Sequence, residues 1–317
     1  MNGLRSKLFS IIDNREPFEW FVQLLACVLL GCLLWLCRSF LELFGSGGAI
    51  RQEIFLDISK DAPFSAWWLI RSFRLGEHQD LILKVSYAAA VISCCLAFLR
   101  PRDWRCVVAL FVTFVFIKAT MMGAVYGMYE FIHLGLVYCM LWSLTNAKWV
   151  TRFGASQERL SRLVGLAFQI HFAMGYTYSG ISKGIGKQWQ TGEALWRSIY
   201  RSDSAGTRLF DFSFLYHWPL ILQISCILVV VLESLYFLAF FRRIRPVVVG
   251  GLICMHVGIM FAFGLWLFGA TMIVLNLFFD AQARRLALQI EQDGTLMKAV
   301  GLMPCQAGTQ QSIDAST

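Results

Sequence analysis

The chain has 317 residues, of which 57% are apolar and 15% charged, and its formal net charge is +8. This composition excludes an ordinary soluble domain, because such a domain has a smaller apolar fraction. It indicates a polytopic membrane protein whose excess of basic residues faces anionic lipid headgroups. The sequence shows no basic patch interleaved with aromatic residues, so a nucleic-acid partner is not expected.

The apolar segments predict an all-α bundle of about eight transmembrane helices, since one crossing needs about 20 helical residues. The predicted helices cover residues 20–44, 81–99, 107–127, 131–146, 163–182, 219–241, 247–264 and 266–279. Residues 247–279 contain no Asp, Glu, Lys or Arg. They are long for one crossing and short for two, and a tight hairpin near Gly264 is the preferred interpretation.

The segments that flank these helices predict the domain organisation. Residues 1–18 are predicted to be a cytoplasmic amphipathic segment, 19–280 the membrane domain and 281–317 a polar cytoplasmic tail. Two short segments, 63–74 and 193–200, combine Trp with Arg, which is typical of helices that lie at the membrane surface. We expect both of them on the outer side.

The distribution of basic residues predicts the orientation. Lys and Arg cluster before the first helix and after the second, fourth, sixth and eighth. Because short loops rich in Lys and Arg stay in the cytoplasm, both termini are predicted to be cytoplasmic in a multi-pass inner-membrane protein. The loops 45–80 and 183–217 then face outward, and none of the ten cysteines lies in them.

A polar stripe on the fifth predicted helix is the first candidate site. Phe172, Tyr176, Ser179 and Lys183 fall on one helical face. An ionisable residue in a membrane helix is a functional-site hypothesis by default. In a dry pocket the neutral amine of Lys183 is favoured and can act as a base, oriented by Tyr176 and Ser179. The alternative is a packing stripe from which Lys183 extends to the headgroups.

Other polar residues lie inside predicted helices. His256 lies halfway along the seventh helix and is either a proton acceptor or a helix–helix contact. Lys118 and Glu233 are charges at depth that need partners, and each is a candidate partner of the other. Glu130 and His133 open the fourth helix and are expected to border the same cavity as Lys183. The sequence has no zinc-ligand spacing and no phosphate-binding glycine loop, so no metal is expected.

The residues around Lys183 resemble a known signature. Tyr176, Gly180, Lys183, Trp189 and Gly192 match the pattern Y-x-x-x-G-x-x-K…W-x-x-G of the HTTM family. This family comprises the membrane domain of vitamin K-dependent γ-glutamyl carboxylase and its bacterial relatives. Met255 and His256, followed by Phe268, resemble a second, weaker signature, and the resemblance covers about residues 10–285.

The resemblance implies that Lys183 is a base that deprotonates a reduced quinone in an outward-facing cavity. His256 would face the same cavity, and Trp189 would close its lip. Three features depart from the carboxylase. Ser182 stands where it has a second lysine, a catalytic histidine of the carboxylase falls near Lys148, and residues 281–317 are too few for its large lumenal domain. Full glutamate carboxylation is therefore not expected.

Length and architecture are similar to short bacterial HTTM proteins of the SdpB type, which help to mature and export a small peptide toxin with partner proteins. The resemblance thus implies an enzyme that modifies or matures a secreted peptide, with a soluble or peripheral partner protein and a reduced quinone as candidate cofactor. The main alternative is a non-catalytic scaffold or exporter component for a peptide toxin. A small-molecule transporter is disfavoured, because the sequence lacks inverted repeats.

Overall fold

A computed structural model describes residues 16–37, 39–49, 64–121, 127–147, 156–204 and 210–299. All regular structure in these ranges is helical, which confirms the all-α class. The α-helices in chain order are α1 (Pro17–Leu36), α2 (Ser39–Phe44), α3 (Ala66–Ser72), α4 (Gln79–Leu99), α5 (Trp104–Thr120), α6 (Gly127–Thr145), α7 (Gln157–Ile185), α8 (Lys187–Gln190), α9 (Glu193–Ser204), α10 (Pro219–Ser234), α11 (Arg245–Phe263) and α12 (Trp266–Ala299).

Every predicted membrane segment has a helical counterpart, although two are interrupted. The first predicted segment corresponds to α1 and α2, and the sixth corresponds to α10 and a 3₁₀ turn over Tyr236–Phe240. Of the described residues, 4 helical segments are long and apolar enough to cross a membrane: Pro17–Leu36, Gly76–Leu99, Arg245–Phe263 and Trp266–Leu288. These segments indicate a membrane protein, and the number of about eight crossings stays a prediction.

The last two long helices form the predicted hairpin. Gly264 ends α11 with a φ of +66°, a left-handed conformation that favours glycine, and α12 begins at Trp266. Gly269 on α12 lies so close to α11 that a Cβ atom on it would come within 2.2 Å of the Met260 side chain. The tight hairpin near Gly264 is therefore confirmed. Beyond it, α12 continues to Ala299 without a break at the predicted tail boundary.

Aromatic side chains from four helices form the centre of the bundle. Phe21 of α1 stacks on Phe278 of α12 with ring centroids 3.8 Å apart. Phe168 of α7 meets the same ring edge-on at 4.8 Å, and Phe18 of α1 stacks on Trp142 of α6 at 5.2 Å. Aromatic pairs add about 0.5–1.5 kcal/mol to the free energy gained by burial alone. This cluster fixes α7, the helix that carries Lys183, against α1, α6 and α12.

Both predicted surface segments are helical. Ser65 caps α3 by accepting a hydrogen bond from the Trp68 amide, and the Trp67 indole donates to the Thr120 carbonyl on α5 at 2.7 Å. Helix α9 packs on α10 and α11. The position of α3 and α9 at the membrane surface stays a prediction. Residues 1–15, which make up most of the predicted amphipathic segment, and residues 300–317 lie outside the described ranges.

Candidate functional site

Lys183, near the end of α7, is the centre of a charged cluster. Its Nζ atom forms an ion pair with the Glu233 carboxylate on α10 and donates a hydrogen bond to Ser179 Oγ at 2.9 Å. It also lies 5.3 Å from the ring centroid of Trp189, within the range of a cation–π interaction. We call Ser179, Lys183, Trp189 and Glu233 the lysine cluster. The Glu233 side chain is 6% exposed and that of Lys183 is 24% exposed, so the pair is buried on one side and accessible on the other.

Gly180 allows the ion pair between Lys183 and Glu233 to form, because it lets α7 and α10 approach closely. A Cβ atom on Gly180 would come within 2.2 Å of the Ser234 backbone nitrogen and within 2.7 Å of the Glu233 carbonyl carbon. The backbones of α7 and α10 therefore touch at this level. Because Lys183 lies three residues beyond Gly180, it reaches the Glu233 side chain directly.

The chain after α7 places Trp189 beside the lysine. The Gln190 side chain donates to the Gly184 carbonyl, and the Gln223 side chain on α10 donates to the Gln190 carbonyl, both at 2.9 Å. Gly192 has a φ of +84°, and a Cβ atom on it would lie 2.7 Å from the Gln223 nitrogen. Only glycine meets both conditions without strain. Gly192 and the two glutamine hydrogen bonds thus secure the turn that follows α7 to the side of α10 and place Trp189 beside Lys183.

Four polar side chains form a second, buried group. Tyr176 Oη lies 2.8 Å from His256 Nε2 on α11 and accepts a hydrogen bond from Asn276 Nδ2 on α12 at 2.8 Å. Tyr236 donates to Asn276 Oδ1 at 3.1 Å and stacks on Tyr176 with ring centroids 4.5 Å apart. We call these four residues the histidine cluster. All four are buried, so the cluster joins α7, α11, α12 and the turn after α10 in the interior of the bundle.

The hydrogen-bond directions locate the imidazole proton. Of the two polar atoms that contact the Tyr176 hydroxyl in the described structure, Asn276 Nδ2 only donates, so His256 Nε2 is the acceptor for the hydroxyl proton. The imidazole proton then resides on Nδ1. This atom is buried and has no hydrogen-bond partner among the residues that the structure describes. An unpaired buried donor costs about 1–3 kcal/mol. His256 is therefore a second candidate group, separate from the lysine.

The structure groups the predicted site residues differently from the sequence. Ser179 and Trp189 lie beside Lys183, as expected. The Tyr176 hydroxyl, predicted to orient Lys183, instead bonds to groups on α11 and α12. Tyr176 precedes Lys183 by about two helical turns, or roughly 10 Å along the axis of α7. Lys183 and His256 thus have separate sets of hydrogen-bond partners, and that both residues face one cavity stays a prediction.

The partners of the deep charges correct the sequence prediction. Lys118 pairs with Glu130 at 2.6 Å, whereas Glu233 pairs with Lys183. The suggestion that Lys118 and Glu233 pair with each other is therefore wrong. Glu233 is the only acidic residue in 219–241, and a lone carboxylate in an apolar segment needs a cation. Lys183 likewise needs an anion, so the sequence could have predicted that Lys183 and Glu233 pair with each other.

The sequence patterns predicted no role for Asn276 and Tyr236, the other two members of the histidine cluster. Asn276 is the only amide side chain in the apolar segment 266–279, and a buried amide requires hydrogen-bond partners. That requirement marks Asn276 as a contact point between helices but does not say which helix it meets.

Within the described ranges, no group of three or more His, Cys, Asp or Glu residues is arranged to hold a metal ion. Comparisons of the chain with models of known families, with curated proteins and with solved structures give no match. The resemblance to the HTTM family therefore stays a prediction that rests on the signature residues themselves.

Proposed function

We propose that this chain is an HTTM-type, multi-pass inner-membrane protein with about eight crossings and both termini in the cytoplasm. Its lysine cluster carries out acid–base chemistry on a secreted peptide at the outer side of the membrane. The observation that carries this proposal is the Lys183–Glu233 pair, in which the carboxylate is buried while a quarter of the lysine side chain is exposed. Charged groups inside membrane helices mark substrate or proton pathways.

The ion pair gives the lysine a route to its basic form. The ammonium passes one proton to the Glu233 carboxylate that it contacts, which leaves a neutral amine able to accept the proton of a substrate. When a substrate X–H bond breaks, its electron pair stays on X and its proton passes to the pair. The resulting positive charge lies over the face of Trp189, which favours a cation. Ser179 accepts a hydrogen bond from the lysine and so holds Nζ in position.

A reduced quinone is the cofactor that the family resemblance implies, and the residues around Lys183 fit such a ring. Trp189 offers a flat aromatic face beside the exposed part of the lysine, and Nζ and Ser179 Oγ offer polar contacts. Trp189 and Lys183 are the residues that would hold it. When bound, a reduced quinone supplies an acidic hydroxyl group and electrons. A soluble or peripheral partner protein would select the peptide.

A second candidate function is a non-catalytic scaffold or exporter component for a peptide toxin. The close contact of Gly180 with Ser234 favours it, because this contact and the adjacent ion pair together join α7 firmly to α10. In that case Lys183 stabilises the helix pair and takes no part in a reaction.

The test is oxygen uptake and quinone-epoxide formation by the purified protein supplied with reduced naphthoquinone. Lys183→Met is compared with Lys187→Met, which removes an equal charge from an exposed residue four positions later. We expect Lys183→Met to lower turnover by about 100-fold or more, the usual contribution of a general base, and Lys187→Met to leave it unchanged. Equal turnover in the two variants, or none in the unmodified protein, would favour the scaffold.

A further inference from the structure

Helices α6 and α7 leave a cleft of about 400 Å³ between them. Its lining consists of Glu130, Phe131, His133, Leu134, Val137, His171, Phe172 and Gly175. Glu130 and His133, which the sequence placed beside Lys183, thus border a different space. The volume lies within the range of about 300–1,000 Å³ that is usual for ligand sites. No residue of the lysine cluster lines this cleft.

The imidazole of His133 presents a hydrogen-bond donor. Lys118 Nζ lies 2.6 Å from a Glu130 carboxylate oxygen and 3.3 Å from His133 Nδ1. An ammonium group only donates, so Nδ1 is the acceptor and the ring proton resides on Nε2. The Lys118–Glu130 ion pair at the edge of the cleft is neutral as a whole, so it does not attract a charged ligand.

The imidazole of His171 presents an acceptor. The Tyr138 hydroxyl donates its single proton to the Ala167 carbonyl at 3.3 Å, and the same oxygen lies 3.2 Å from His171 Nδ1. The Tyr138 oxygen therefore accepts a hydrogen bond from Nδ1–H, which leaves His171 Nε2 with a free lone pair.

One donor on α6 and one acceptor on α7 together match a hydroxyl group, which accepts one hydrogen bond and donates another. The rest of the lining is mostly apolar. The surface beside the cleft carries exposed apolar side chains, including Leu141 at 41%, Ile170 at 46% and Met174 at 64%. Contiguous exposed apolar side chains mark an interaction surface, which for a membrane helix is lipid.

We propose that this cleft binds a neutral lipid with a hydroxyl head, of the long-chain alcohol or acylglycerol type. The hydroxyl group lies between His133 and His171, and the chain packs against Leu134, Val137 and Phe172. The inference is independent of the proposed function, because no residue of the lysine cluster lines the cleft.

The test is saturable photolabelling of the purified protein with diazirine-bearing hexadecanol, followed by mapping of the labelled peptides. We expect label on 130–137 and 171–175, and displacement by unlabelled hexadecanol. The methyl ether of the probe keeps the chain but cannot donate a proton, and we expect it to label about tenfold more weakly. His171→Ala should weaken labelling by the alcohol to a similar extent.

A variant that fills the cleft without disturbing the fold shows whether a loss of labelling comes from the cleft or from misfolding. A Cβ atom on Gly175 would meet nothing within 4 Å, so Gly175→Leu should fold normally and block the cleft. Met174→Leu is its control, because Met174 is exposed and does not line the cleft. Labelling that does not saturate, or that is equal in Gly175→Leu and Met174→Leu, would mean that only bulk membrane lipid contacts this surface and would overturn the proposal.

Discussion

Gly180 on α7 and Ser234 on α10 bring the backbones of the two helices into contact next to the lysine cluster. A Cβ atom on Gly180 would come within 2.2 Å of the Ser234 nitrogen and 2.6 Å of its hydroxyl oxygen. Real side chains do not approach a backbone this closely, so the contact exists because residue 180 is glycine. It also sets the distance between Lys183 and Glu233, since each lies within three residues of it.

Gly180→Ala should therefore force α7 and α10 apart. We expect a loss of about 1–3 kcal/mol in the free energy of unfolding, the usual cost of overpacking, together with weakening of the ion pair. The measurement is thermal unfolding of the detergent-solubilised protein. Gly175→Ala is the matched control, because a Cβ atom there meets nothing within 4 Å and alanine favours the helix. Equal unfolding temperatures for the two variants would contradict the close contact.

The ion pair itself gives a second prediction. Lys183→Met leaves a buried carboxylate without its cation, and we expect a loss of about 2.5–3.5 kcal/mol, the cost of an unpaired charge in a membrane helix. Replacing both members, as in Lys183→Met with Glu233→Leu, should recover most of this loss, because no charge remains buried.

The double variant also separates the two candidate functions. If the pair is a base, the double variant is stable and inactive. If it only joins α7 to α10, the double variant regains stability and its turnover, measurable or absent, equals that of the unmodified protein. Unfolding temperature and turnover, measured on the same preparations, distinguish these outcomes.

The sequence predicted local geometry better than contacts between helices. Ser179 and Lys183 are four residues apart on one helix, so helical periodicity alone brings them together, and the structure shows their hydrogen bond. Glu233 lies 50 residues further along the chain, and periodicity carries no information about which helix α7 meets or at what level. The isolated charges of Lys118 and Glu233 predicted that each residue needs a partner of opposite charge. The folded chain places Glu130 beside Lys118 and Lys183 beside Glu233, and the sequence does not show this proximity.

Tyr176 illustrates the same limit within one helical face. It lies on the face of α7 that carries Lys183, as the stripe predicted. A tyrosine hydroxyl extends far from the helix axis, and its direction depends on which polar groups the neighbouring helices present. Here α11 and α12 present His256 and Asn276, and the hydroxyl bonds to them. The Gly264 hairpin was predictable, because charge-free length and a glycine are both local signals.

Gly192 gives a third prediction. Its φ of +84° and the 2.7 Å approach to the Gln223 nitrogen both require a residue without a side chain. Gly192→Ala should lower the free energy of unfolding by about 1–3 kcal/mol, the cost of holding a non-glycine residue in such a conformation. Gly76→Ala is the control, because no atom lies within 4 Å of a Cβ there and the φ of Gly76 is outside the left-handed region. A Gly192→Ala protein as stable as the control would show that the turn after α7 tolerates a side chain.

The hydroxyl of Tyr176 gives the last prediction. Tyr176→Phe keeps the ring that stacks on Tyr236 at 4.5 Å but removes the oxygen between His256 and Asn276. Two buried polar atoms then lose a partner, so we expect a loss of about 1–3 kcal/mol in the free energy of unfolding. Tyr178→Phe makes the same chemical change at a residue that is 76% exposed, and its effect should stay within about 0.5 kcal/mol.

Thermal unfolding of the two tyrosine variants tests whether the histidine cluster holds α7, α11 and α12 together. If Tyr176→Phe unfolds at the same temperature as Tyr178→Phe, the Tyr176 hydroxyl adds nothing to stability. Turnover adds a further distinction. Since the Tyr176 hydroxyl directs the imidazole proton to Nδ1, a reaction that uses His256 should slow in Tyr176→Phe even at temperatures where the variant is fully folded. A reaction that uses only the lysine cluster should keep its rate there.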